Sequence, residues 1–151
     1  MSYWIVQSNP NTYRMIDYMR AHWNEPDTWS VSRYTDKVEL EDILFIWLSN
    51  EKGKKNRGIY GMAKVIGLSD SQRHFEWGDP YWIDKEEQRR LRALPTLELR
   101  YTKSIIDSPL LVDDLKAANL GNLLILRMPQ RAIYKLTEAE GEKIKRMIEL
   151  R

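Results

Sequence analysis

Phe75, Trp77, Tyr81 and Trp82 crowd into the stretch HFEWGDPYW, residues 74–82, around a Gly78-Asp79-Pro80 break. Rings of this size each bury about 150–250 Å² and ordinarily belong to a core. Gly, Asp and Pro in succession interrupt any regular element and point instead to a surface loop. Aromatic faces held on a loop suit two chemistries: sandwiching a flat group such as a nucleobase, at about 1–3 kcal/mol per stacked base, or enclosing a methylated or cationic group. The competing reading is that the rings cap the end of a sheet. The six tryptophans divide along this line. Trp4 and Trp47 stand in apolar runs and Trp23 on the apolar side of a helical pattern, so a core role is expected for them. Trp29, Trp77 and Trp82 have no such assignment.

The familiar catalytic constellations are missing. The chain has no cysteine, which removes disulfides, thiol nucleophiles and cysteine-based zinc sites. His22 and His74 lie in unrelated segments and no HExxH occurs, so a metal site would have to be mostly carboxylate. Gly53, Gly58 and Gly61 lack the spacing of a phosphate-binding loop, and no GxSxG is present. Glu86-Glu87 and Asp113-Asp114 are adjacent pairs, and adjacent helical residues point in different directions. Solvated helix faces account for them. The expectation is a binding protein with no metal or cofactor, not an enzyme.

Length and composition fit a single domain over residues 1–151, with 42% hydrophobic and 30% charged residues. The net charge is only +2, but residues 51–103 carry twelve Lys/Arg against eight Asp/Glu. Lys54, Lys55 and Arg57 fall in the polar run SNEKGKKNRG, and Arg73, Arg89 and Arg90 flank the aromatic stretch. Basic groups beside exposed aromatics suit a phosphate backbone with accessible bases, although ordinary solvated charges give the same pattern. The N-terminus lacks the signature of a signal peptide, and the longest apolar runs fall well short of the roughly 18 residues of a membrane span. A cytoplasmic location without a membrane partner is expected.

These residues need elements to position them. Tyr3 to Gln7 reads as a strand, Thr12 to Trp23 as a helix, and Asn24 to Thr28 as a turn. ILFIWL (43–48) has the length and composition of a strand buried on both faces, and IYGMAKVIG (59–67) pairs with it as a hairpin in which Gly61 marks a bulge or a close approach. Lys85 to Arg92 forms a short charged helix, Leu97-Leu99-Tyr101 a half-buried strand, Pro109 to Leu115 one or two helical turns, and Leu123 to Met128 a further strand. Thr137 and Glu140 have capping-box spacing at the start of a closing helix that buries Ile144, Met147 and Ile148. Strands cluster in the middle and helices lie at the flanks, which predicts an α+β fold with a curved mixed sheet or small open barrel and peripheral helices.

The ordered set YWIVQSNPNTYRMIDYM, WSVS, DILFIWLSNEKGKKNRGIYGMAKVIG and PLLVDDLKAANLGNLLILRMPQRAIYKLTEAEGEKIKRMI resembles the EVE and YTH domains of the PUA-like superfamily over nearly the whole chain. Gln7-Ser8-Asn9 and Trp29-Ser30 stand where that family has its first turn and its Trp-Ser signature. The resemblance implies a reader of nucleic acid: a flipped modified base, 6-methyladenine or otherwise a methylated or hydroxymethylated cytosine, held in an aromatic cage. By position the cage would be Trp29, Trp77 and Trp82, with Ser8, Asn9 and Ser30 facing the base edge and Phe75 and Tyr81 packing the loop. Lys54, Lys55, Arg57, Arg73, Arg89 and Arg90 would follow the backbone of methylated RNA or DNA. Similar modules are fused to modification-dependent restriction enzymes, which implies a nuclease or other effector as partner of a monomeric chain. The same fold would also accommodate a small-molecule or hydrolytic pocket, or a protein-docking surface.

Overall fold

The computed structural model describes residues 1–23, 25–31, 37–49, 56–69 and 76–151, with the side chains of 69 and 76–78 left aside. Seven strands and five helices follow one another as β1 (Tyr3–Ser8), α1 (Met15–Ala21), β2 (Asp27–Ser30), β3 (Ile43–Leu48), β4 (Gly58–Ser69), α2 (Lys85–Arg92), β5 (Thr96–Ser104), β6 (Leu110–Leu111), α3 (Val112–Ala117), α4 (Leu124–Arg127), β7 (Ile133–Lys135) and α5 (Glu138–Glu149). A 3-10 segment, Glu76–Tyr81, precedes α2. The architecture is the expected α+β, a curled mixed sheet with helices around it.

The strands form one sheet in the order β2-β5-β4-β3-β1-β7, with β6 beside the start of β4. All neighbours are antiparallel except β1 and β3, which run parallel from Tyr3↔Ile43 to Ser8↔Leu48. Alternation along these two central strands builds two cores. Tyr3, Ile5, Ile43, Phe45 and Trp47 face α3, α4 and α5 on one side. Trp4, Val6, Leu44, Ile46 and Leu48 face α1 on the other. Because both faces are covered, every residue of ILFIWL is buried.

Register shifts on β4, opposite Ile46/Trp47 of β3 and at two places along β5, bend the sheet. Gly61 sits at the first of these, and a Cβ there would lie 2.7 Å from Met19 Cε and 3.1 Å from the Lys103 carbonyl oxygen. Both the bulge and the close approach expected at this glycine are present. Asp42 fixes the start of β3: its buried carboxylate accepts from the Trp4 indole Nε1 at 3.0 Å, the Ser2 N–H at 2.8 Å and the Glu39 N–H at 2.9 Å. Trp4 and Trp47 are fully buried and Trp23 stacks on Tyr101 at 6.1 Å, as their core assignment requires.

Two expectations need correction. Leu123 to Met128 is not a strand; its centre is the helical turn α4, with Leu123 and Ile125 buried in the first core. A short apolar run satisfies either period, and here the helical one prevails. The strand near this place is β7, which begins only after Pro129. The turn ascribed to Asn24–Thr28 gives way at Asp27, where β2 starts and pairs Asp27↔Leu99 through Ser30↔Thr96.

Candidate functional site

Parallel pairing of β1 with β3 brings the C-terminal ends of both strands to one end of the sheet. The chain leaving β1 turns sharply there: Asn9 Oδ1 accepts from the Asn11 N–H at 2.8 Å, and the Asn9 carbonyl accepts from the Thr12 and Tyr13 N–H groups at 3.0 Å. The segment after the 3-10 turn docks on this tight turn. Ile83 N–H donates to the Thr12 carbonyl, Arg14 N–H to that of Tyr81, and Tyr13 and Trp82 form an isolated antiparallel bridge with their rings edge to face at 4.8 Å. On the other side, Gln7 Nε2 donates to the carbonyls of Pro129 at 3.0 Å and Arg131 at 2.7 Å, tying β1 to the segment that leads into β7.

Helix α2 closes the remaining side although none of its residues is buried. Asp84 caps it by accepting from the Glu86 and Glu87 N–H groups at 3.1 Å. Asp79 holds it sideways, accepting from Gln88 Nε2 at 2.9 Å and from the Arg92 guanidinium.

Together these segments enclose a cavity of about 670 Å³. Residues from β1 (Gln7, Ser8), from β2 (Asp27, Trp29, Ser30) and from α2 (Gln88, Arg90) all border it. In the sheet β1 and β2 are separated by β3, β4 and β5, so only the curl of the sheet lets both reach one cavity. Its volume lies within the range usual for small-molecule sites, about 300–1,000 Å³.

The structure brings Ser8, Asn9, Trp29, Ser30 and Trp82 to this one cavity, together with Arg57 and Arg90. Trp29 is half-buried and rests against the second core. The backbone of Trp77 belongs to the 3-10 segment, while its side chain, like Lys54, Lys55, Arg73 and Phe75, lies outside the description. Tyr81 is the packing residue that was expected, meeting the Tyr18 ring edge-on at 5.4 Å. The α2 arginines carry partners: Arg90 is held by Glu87, a hydrogen bond that raises its pKa, and Arg89, exposed and away from the cavity, pairs with Glu86 at 4.0 Å. By contrast Arg57 and Arg131 border the cavity with no ion pair among the described residues, and Arg57 Nε is buried without a described hydrogen-bond partner.

Sequence reasoning missed Tyr13, Asp27 and Arg131. Asp27 is 8% exposed, with the Thr28 N–H donating to Oδ1 at 2.8 Å and the Tyr101 hydroxyl donating to Oδ2. Burial pushes its carboxyl up to about 6, against the opposing pull of hydrogen bonds from Tyr101, Thr28 and Tyr18. Burial, followed by the nearby Asp27 charge, raises the Tyr13 and Tyr101 phenols. A shifted carboxyl in a cleft marks a place where polar chemistry is held ready. Only the Asp type was visible in the sequence; its burial was not.

Comparison with known proteins places this geometry among relatives. The family profile described as the EVE domain matches residues 2–147. No curated protein matches the chain in sequence. Among solved structures, the human THYN1 protein in complex with 5-methylcytosine-containing DNA is similar with a TM-score of 0.65 and 17% identity, over 99% of this chain and 97% of that one. The DUF55 domain of human thymocyte nuclear protein 1 gives 0.67 and 18%, over 99% and 100%. A mutant ZmASCH protein from Zymomonas mobilis gives 0.59 and 12%, over 97% and 99%. At such identities the likeness is one of fold.

Proposed function

The chain belongs to the EVE domain family, and from that premise we propose that it is a nucleic-acid reader whose cavity holds a flipped, modified base against Trp29 and Trp82. The observation that carries this reading is their convergence with the polar groups of Ser8, Asn9 and Ser30 on one cavity of about 670 Å³. A base leaving its stack costs a few kcal/mol, least in a single strand, and stacking on aromatic faces at about 1–3 kcal/mol each offsets it. Burying one methyl group adds only about 0.8 kcal/mol. Stronger selectivity therefore requires that the unmodified base leave part of the cavity unfilled. The THYN1 complex supports methylated cytosine as the ligand class; 6-methyladenine, implied by the likeness to YTH domains, is the comparison ligand.

Arg57 and Arg131 are the groups available for the flanking phosphates, and Trp77 is the third wall of the proposed cage. The proposed reader acts as a monomer, and a nuclease or other effector is the partner such a role calls for. A hydrolytic pocket would need a buried carboxylate beside a lysine and no aromatic walls. The buried carboxylate of this cavity, Asp27, has no lysine beside it among the described lining residues, Asp79 is 42% exposed and engaged by Arg92, and Trp29 and Trp82 border the cavity.

Fluorescence anisotropy with methylated and unmethylated oligonucleotides at one salt concentration tests the reading. We expect several-fold tighter binding of a methylated strand, and Trp29→Ala should abolish that preference while retaining most of the salt-dependent binding. Equal affinities in the wild type would remove the selectivity claim, and absence of binding would remove the reader class.

A further inference from the structure

Stacking leaves the most deeply placed polar group of the cavity without a task. Asp27 and Trp29 lie two residues apart on β2, so their side chains leave the strand on the same face, and both border the cavity. Tyr101 and Tyr18 hydrogen-bond the Asp27 carboxylate yet neither borders the cavity, which places them behind it, on the core side. An ionised carboxylate has about four acceptor positions. The Thr28 N–H and the two tyrosine hydroxyls take three of them. In its ionised form, as at pH 8, the carboxylate is thus oriented from behind, retains acceptor capacity, and offers no donor.

We infer that Asp27 reads the exocyclic amino group of the bound base, so that the cavity selects amino-bearing bases, cytosine above all, against the keto bases thymine and uracil. The inference rests on the reading of the cavity as a base pocket. Carboxylates accept hydrogen bonds from the cytosine 4-amino group. Thymine presents O4 at the same place, and two acceptors facing each other in a buried site leave both unsatisfied. The pair 5-methylcytosine and thymine isolates this effect, because both carry the same 5-methyl group and differ only along the edge that Asp27 would meet.

The experiment measures single-stranded oligonucleotides bearing one central 5-methylcytosine, thymine or 5-methylpyrimidin-2-one, the last lacking any 4-substituent. The wild type is expected to prefer 5-methylcytosine over thymine at least tenfold, with 5-methylpyrimidin-2-one between them. Asp27→Asn, whose amide can donate to O4, should compress the ratio below threefold, chiefly by strengthening thymine binding. A merely structural role for Asp27 would weaken all three ligands together and leave the ratio unchanged, and that result overturns the inference. Should the variant unfold, the wild-type ratios still decide, since affinities within twofold for 5-methylcytosine and thymine are incompatible with amino-group readout. Absence of binding to all three strands would instead defeat the base-pocket reading itself.

Discussion

Asp42 and Asp27 are two buried carboxylates, one at the start of β3 and one at the start of β2 beside the cavity. Asp42 accepts from three donors and anchors the start of β3. Asp27 carries a carboxyl that burial displaces to about 6 from its ordinary 3.8. Between pH 4 and 6 the folded protein therefore holds a proton on Asp27 that the unfolded chain has already released. Stability contributed by this group falls as pH rises through that window, by up to about 3 kcal/mol. The groups that face it are Tyr101 on β5, Tyr18 and His22 at α1, and Tyr13 before it. Thermal unfolding of wild type and Asp27→Asn should show a stability difference that shifts against the wild type from pH 4 to 6 and levels off above. A difference independent of pH would place the carboxyl at its ordinary value. Trp29 could be singled out in the sequence because a Trp outside any apolar run needs an explanation, and Ser30 through the resemblance to the family's Trp-Ser signature. Asp27 could not, because NEPDT reads as a solvated turn until Tyr101 and Tyr18, distant in sequence, are brought against it.

Among the elements, α5 shows how local code and packing combine. Thr137 accepts from the Glu140 N–H at 3.1 Å while Glu140 Oε1 accepts from the Thr137 N–H at 2.8 Å, the reciprocal cap expected from spacing. Where the helix crosses β1, a Cβ on Gly141 would stand 2.1 Å from Tyr3 Cγ. Gly141→Ala gains about 1 kcal/mol of helix propensity but has to displace a ring that is itself stacked on Phe45 at 6.0 Å. The net should be a loss of about 1–3 kcal/mol, measured by urea unfolding; an unchanged midpoint would mean that α5 shifts freely along the sheet. Elements carrying a clear period, β5 and α5, were legible from the sequence, and β3 was legible from the strand length and composition of its apolar run. The run LLILRM was not, because apolar residues in succession fit a strand and a helical turn alike, and the first core decided between them. Glycine at 141 gave no local sign of the crossing, which is a tertiary fact.

At the scale of the whole molecule, the charge carried by α2 is spent on local pairing. Glu86, Glu87 and Asp79 engage Arg89, Arg90 and Arg92, all on or beside α2. The basic excess visible in the middle of the sequence is thus not a basic face on this helix, a distinction that a residue count cannot make. Arg57 is one of the cavity arginines without an ion pair among the described residues. Salt titration of single-strand binding should separate the two kinds: Arg57→Ala is expected to reduce the slope of log K against log salt by about 0.7, the value of one phosphate contact, and Arg89→Ala to leave it unchanged. Equal effects of both would show that α2 contributes phosphate contacts despite its pairs.

The way α2 is attached bears on time as well as on affinity. No side chain of this helix enters either core, and the charged and polar contacts of Asp79 hold it over the cavity. A segment held by exposed polar contacts opens at a small fraction of the free energy that global unfolding demands. The walls from β1 and β2 are fixed by the sheet, so α2 is expected to be the wall that opens first, with amide hydrogen exchange faster in α2 than in β1 or β2 as the sign of it.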